Sequence, residues 1–453
     1  MATIPKYKTL TNSSIDVLNA IRNSANQNYR DYVPVAKNGE DIKSIGAIIM
    51  DYPALQNTFL TSLVNRIGLV ILSNKEYTNR WSMFKRGLLD YGETIEEIFV
   101  DLARPFKFDV EESESKVFAR EMPDVRTAFH VMNYQTFYKQ TIQRQQLRQA
   151  FLNERGLLDL VQKIISTMYT SAEYDEFNMM KYLLAKHAVN GRLTPIAIPE
   201  VTASNMKQVA AVVKGVSNDF EFMTSKFNVA GVKNYSDKNS QYLIVNTKFD
   251  ATMDVEVLAS AFNMDKADFA GHRVLVDSFG NIDEDRLSDI FKDDPNYIPL
   301  TADEKAILED IPAILVDENY FMIYDNLKEV TEQYNGQGLY WNYWLHVWKT
   351  LSVSPFANTA LFVEGTPSVT SVEITPLTLT LPAGGNTALK ATVVVANFAP
   401  KSVVWTTDNE LATINSSGVL TLDESLTSAT VIEVTATSTF DKTKKGVATI
   451  TVG

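Results

Sequence analysis

At 453 residues with 45% apolar side chains, the chain is long enough for two or three domains with full cores. Its formal charge of −13 argues against a protein that grips nucleic acid regardless of sequence, and the lack of cysteine excludes disulfides and thiolate metal sites. No apolar run approaches the ~20 residues of a membrane helix, and Met1–Leu10 lacks the apolar core of a signal peptide, so a soluble intracellular product with no membrane partner is expected.

Residues 1–60 read as short helical and irregular pieces, with Thr11 to Ser14 placed to cap a helix through Ile15, Val17, Leu18 and Ile21. Ile67 to Leu72 is a strand-like apolar run. The polar stretch after it carries Lys75, Arg80, Lys85 and Arg86 around Trp81 and Phe84; an acidic segment with Glu93, Glu96, Glu97 and Asp101 follows. A basic tip beside an acidic stem predicts a protruding hairpin that docks on a neighbouring copy. A nucleic-acid contact and a plain solvated hairpin are the alternatives.

The stretch from about 155 to 190 predicts one long helix. Leu157, Val161, Ile164, Met168 and Ala172 follow steps of four and three. Gly191 supplies a left-handed stop, and Pro195 forbids continuation. At 1.5 Å per residue, about 35 residues span roughly 50 Å. The stripe weakens at Glu173, Asp175 and Glu176, where a kink or a change of packing partner is expected. Residues 192–330 read as mixed α/β. Helices are expected at 206–227 and 255–262, with Asp254 as a cap for the second, and strands at 242–246, 274–276 and 314–316. The acidic 280–310 segment reads as loop.

Leu339 to Val353 is the clearest strand. One parity reads Leu339, Trp341, Tyr343, Leu345, Val347, Leu351 and Val353, broken only by Lys349. Composition changes at 364–368, a linker. Beyond it, threonine and valine alternate without helical periodicity, and turn clusters recur at sandwich-like spacing, which predicts a separate all-β domain at 369–453.

Nothing in the sequence assembles a catalytic group. His130, His187, His272 and His346 sit in no ligand-spaced pair, and no nucleophile elbow, phosphate loop or zinc motif is present. No enzyme activity, cofactor or metal is expected. A cytoplasmic enzyme would need a convergent polar pocket, and a surface adhesin would need an export signal.

Against this background the chain resembles the major capsid proteins of the small podoviruses of the phi-twenty-nine kind. The resemblance is carried by Ala20-Ile-Arg-Asn-Ser24, Thr61-Ser-Leu-Val-Asn-Arg-Ile-Gly-Leu-Val70, Thr94-Ile-Glu-Glu-Ile98, Ser171-Ala-Glu-Tyr-Asp-Glu176 and, most specifically, the run from Gly338 to Asn358. The last 85 residues are similar to group-two bacterial immunoglobulin-like domains, through Val372-Glu-Ile-Thr-Pro376, Val404-Trp-Thr-Thr-Asp408 and Ser417-Gly-Val-Leu420.

The resemblance implies an α+β chain of the Hong Kong ninety-seven capsid fold. Its parts would be an N-terminal arm (1–66), an extended loop (67–112), a peripheral domain with a spine helix (113–191 and 331–363) and an axial domain (192–330). An immunoglobulin-like sandwich on the outer surface would follow. It further implies a subunit that assembles with identical copies into pentamers and hexamers of an icosahedral or prolate head. The implied partners are a scaffolding protein, a portal protein, a head fibre or decoration protein, and double-stranded DNA enclosed without specific binding. On that reading Lys75, Arg80, Trp81, Lys85, Arg86, Glu93, Glu96 and Glu97 are the candidate subunit-contact residues.

Overall fold

The computed structural model describes residues 14–70, 78–89, 94–107, 118, 120–151, 156–254, 272–292, 294, 295 and 297–453. The expected helix at 255–262 lies outside them, as do the capping residues before Ser14. Among the described residues, eleven strands precede the last domain: β1 (Lys85–Leu88), β2 (Ile95–Val100), β3 (Val125–His130), β4 (Tyr134–Gln143), β5 (Thr194–Ile198), β6 (Gln241–Asn246), β7 (His272–Val276), β8 (Ala313–Asp317), β9 (Phe321–Asn335), β10 (Tyr340–Val353) and β11 (Thr359–Glu364). The chain divides into two units. One draws on Met1–Glu93, Val131–Phe177 and Ile323–Leu351, the other on Thr94–His130, Asn178–Met322 and Ser352–Gly453.

The first unit opens with helices at Ser14–Ser24, Gln27–Tyr32, Gly39–Asp51 and Pro53–Val70. Asn38 and Asp41 close a capping box at the third, and Pro53 sits at the first position of the fourth, where its missing N–H costs nothing. That fourth helix runs through Ile67–Val70, so the start of the apolar run expected as a strand is helical. Periodicity alone does not separate a short buried strand from a helix segment. The unit's sheet has the order β1-β9-β10-β4. β10 pairs antiparallel with β4 from Tyr340–Gln143 to Lys349–Tyr134. β1 pairs parallel with β9 along one edge, so residues 85–88 form a sheet strand where a protruding hairpin was expected.

The long helix, Gly156–Val189, is helical throughout; its 34 residues span roughly 50 Å at 1.5 Å each. Gly191, at φ +66°, ends it. Its N–H bonds to the Ala188 carbonyl, and that of Arg192 to the His187 carbonyl, both at 2.9 Å. A side chain here would also meet the backbone of Ala399 and Lys401 at 2.9 Å, so this glycine is required twice.

The second unit holds a five-stranded sheet of order β5-β11-β8-β6-β7. β8 is buried at every residue, which is why Ala313 to Val316 read as an apolar run; Asp317, its last residue, is buried as well. The helix Met206–Asp219 lays Val209, Val213 and Val216 over Leu243, Val245, Leu315 and Phe362. The acidic 280–310 segment is not all loop. Asp283 caps a helix at Glu284–Ile290, and Thr301 with Glu304 forms a capping box for Ala302–Glu309.

Gly365 to Pro367 join β11 to the terminal immunoglobulin-like sandwich, whose first strand is Ser368–Thr375. Strands Val431–Ser438 and Lys445–Val452 pair antiparallel and alternate strictly. Ile432, Val434, Ala436, Ala448 and Ile450 are fully buried in a core with Leu420 and Leu422.

Candidate subunit-contact surfaces

The structure separates the residues singled out from sequence. Lys75 and Glu93 lie outside the described residues. Arg80 and Arg86 are exposed. Trp81 is fully buried, edge-on to Phe84 at 6.1 Å and to Phe177 at 5.4 Å. Lys85 turns inward, its Nζ 3.1 Å from Glu176 and 2.7 Å from Asp325. Glu96 is exposed on β2, and its neighbour Glu97 faces the other way. Trp81 and Lys85 thus belong to the interior, and Glu96 and Glu97 to a different element.

Around Lys85 lies a buried ion cluster that sequence reading missed. Lys349, on β10, bonds to both Glu176 of the long helix and Asp325 of β9. Asn79 donates to the other oxygen of Glu176 at 2.7 Å. Tyr138 donates to Asp175 at 2.7 Å. Asp175 and Glu176 are each 1% exposed and Lys349 4%, so the residues that weaken the helical stripe are buried charges. Burial would raise the carboxyls of Glu176 and Asp325, but Lys349 and Lys85 outweigh it and hold both below the usual range. Burial would lower the Lys85 ammonium, but Glu176 and Asp325 outweigh it and raise it. Buried charges persist only when paired, and here two amines meet two carboxylates. With its charges matched, the cluster fastens β1, the helix and the sheet together. The legible signal was Lys349, the one polar break in an apolar stripe.

The ribbon β2–β3 has two unlike faces. On one, Glu97 accepts from Ser354 Oγ at 2.7 Å and lies 3.2 Å from His130 Nε2; His130 Nδ1 lies 2.8 Å from Ser352 Oγ, and Phe99 stacks on Phe356 at 5.6 Å. The register puts Glu96 opposite Phe129, Ile98 opposite Thr127, and Val100 opposite Val125 on the other face. Ile98, Val100, Val125 and Phe129 are 49–63% exposed there. A two-stranded ribbon is marginal alone, and a row of bare apolar side chains marks a contact surface.

The remaining histidines are apart. Burial holds His187 down to about 4, with Arg192 adding to it, while it packs edge-on to Tyr320. His272 lies against Tyr242, and His346 against Thr331. Among the described residues no group of three or more metal-ligating side chains converges, and no helix is long and apolar enough to cross a membrane.

A family model described as Phi29-like phage major capsid protein matches residues 18–363. The major capsid protein of Bacillus phage B103 is 36% identical over 430 residues, 93% of this chain and 90% of that protein. That of Bacillus phage PZA is 36% identical over 87% of this chain and 83% of its own length. Among solved structures, the capsid of Staphylococcus phage Andhra matches with a TM-score of 0.50 and 15% identity, covering 65% of this chain and 86% of that one.

Proposed function

The chain belongs to the Phi29-like phage major capsid protein family, and from that premise we propose that it is the head-shell subunit of a tailed phage. It self-assembles into pentamers and hexamers in the host cytoplasm and encloses double-stranded DNA in the virion. The carrying observation is the family match across residues 18–363. The bare apolar face of β2–β3 supports the reading, because it leaves each subunit a surface that another copy can cover. In this reading β2–β3 serves as the extended loop, 1–66 as the arm and 192–330 as the axial domain. Exposed Arg80, Arg86 and Glu96 stand at subunit edges. A scaffolding protein, a portal and a head fibre or decoration protein are the further partners proposed. The charge of −13 suits a wall that does not trap its DNA.

Sedimentation and electron microscopy of the purified chain test this. Closed shells or capsomer rings are expected, with little affinity for DNA at moderate salt. A chain that stays monomeric at every concentration, with or without a co-expressed scaffold, sinks the reading.

A further inference from the structure

A cavity of about 230 Å³ in the second unit opens beside the last turn of the long helix. His187 of that helix, Arg192 just beyond it and Tyr320 between β8 and β9 line it, with Ser352 and Ser354 at the end of β10. Tyr320 is 2% exposed, yet its hydroxyl has no hydrogen-bond partner. A buried hydroxyl left in that state is costly and calls for a partner from elsewhere. His187 is half-buried, and its ring forms no hydrogen bond among the described residues; it meets Tyr320 edge-on at 6.5 Å. The Arg192 guanidinium is exposed and forms no ion pair among the described residues. The lining contains no carboxylate. Glu97 lies behind it, already accepting from Ser354 Oγ at 2.7 Å and 3.2 Å from His130 Nε2.

We propose that this cavity binds a small oxyanion of the sulfate or phosphate kind, held by Arg192 and His187 with the Tyr320 hydroxyl as an inner donor. The lining sets the sign of the guest: a guanidinium, an imidazole and hydroxyls can all donate to an oxyanion, and no carboxylate lines the cavity to repel it. A guanidinium matches the geometry of such an anion and binds it by charge-assisted hydrogen bonds. The volume is ample for a tetrahedral anion and a few waters. His187 adds a donor that the guest itself switches on. Burial, and then the charge of Arg192, hold its imidazole down to about 4. An anion beside the ring offsets both influences, so binding draws a proton onto His187. Arg192 and Tyr320 face that ring across the cavity, and His130 and Glu97 stand behind Ser352 and Ser354. The bound anion would tie the end of the long helix to the turn before β9 and to the chain leaving β10.

Equilibrium dialysis of the full chain against radiolabelled sulfate tests this. Sulfate keeps one charge state between pH 5 and 8, so any pH dependence belongs to the protein. One sulfate per chain should be retained, displaced by inorganic phosphate but not by chloride at matched ionic strength. It should bind about three- to tenfold more tightly at pH 5 than at pH 7.5, and His187→Gln should remove that difference. Arg192→Gln should weaken binding about tenfold or more, with Arg192→Lys restoring part of it. Tyr320→Phe should weaken it by about threefold or more. Thermal unfolding confirms that each variant is folded. If the chain retains no sulfate above the chloride control, the cavity holds water only and the proposal fails. It fails also if Arg192→Gln or Tyr320→Phe binds as the parent does, because the anion then sits elsewhere. Equal affinity of the parent at the two pH values, or a pH dependence that survives in His187→Gln, overturns it as well. Sulfate retention is read per chain, so the outcome does not depend on whether shells form.

Discussion

The sheet that contains β10 and the terminal sandwich solve the same packing problem in different ways. In the sandwich, the inward positions of the strands Val431–Ser438 and Lys445–Val452 are apolar or glycine, except for the uncharged Ser438 at the end of the first, and none carries a charge. In β10 the inward row Trp341, Tyr343, Leu345, Val347 and Leu351 is interrupted by Lys349, which meets two carboxylates, one from the adjacent strand β9 and one from the long helix. An apolar row accepts many partners of suitable volume. A buried amine accepts only an arrangement that neutralises it, so it ties the edge strand, the helix and the sheet into one register. The sandwich is held by volume, the capsid sheet by volume and charge identity together.

The sharpest way to break this contrast is Lys349→Met. Glu176 and Asp325 would then share only Lys85, and leaving a buried charge uncompensated costs about 3–5 kcal/mol. A chain with a separate terminal domain is not expected to unfold in one step, so hydrogen exchange read by peptide is the suitable measurement. Peptides from 321–351 and 166–189 should lose protection, and those from 431–452 should not. Adding Glu176→Gln should return part of the loss, since the two changes remove one interaction. Equal loss in both regions, or none in the sheet, would contradict the account.

Acid separates the regions more gently. Glu176 and Asp325 are held below the usual carboxylate range, so their contribution is complete above the unfolded value of about 4 and is lost as pH falls through their folded values. His187 acts earlier and elsewhere. Its folded value of about 4 lies below the unfolded ~6.5, so the unfolded state takes up the proton first and stability falls between those two values. Exchange measured from pH 7 to 3 should therefore loosen the surroundings of His187 first and the ion cluster next. The sandwich core, which holds no titratable side chain among its packed residues, should hold longest.

What was legible in the sequence follows the same division. The alternation of Ile432, Val434 and Ala436 states the sandwich outright, because a half-buried strand writes its two faces into successive residues. The long helix was readable from its stripe and its Gly191 stop, and β10 from its parity. The charged sites were not, because Glu176, Asp325, Lys85 and Lys349 are 24 to 264 positions apart and only the fold brings them together. A basic residue near aromatics, such as Lys85 beside Trp81, looks the same in sequence whether it faces a neighbour or an interior carboxylate. The bare face of β2–β3 was hidden for another reason: Ile98, Val100 and Phe129 have the composition of core residues, and only burial distinguishes a core from a contact surface.

The smallest expected effect tests the apolar side of the contrast. Ile432 is fully buried and lies opposite Ile450 across the strand pair. Ile432→Val removes one methylene from a core that can partly close around the space, at a cost of about 0.5–1.5 kcal/mol. The loss should appear as faster exchange confined to peptides of the sandwich, with the capsid sheet and the yield of assembled shells unchanged. Val447, which faces outward on the next strand, should tolerate Thr within about 0.5 kcal/mol. If Ile432→Val instead loosened the β10 sheet as much as Lys349→Met does, volume alone would hold both regions, and the ion cluster would have no special part in fixing the register of the capsid sheet.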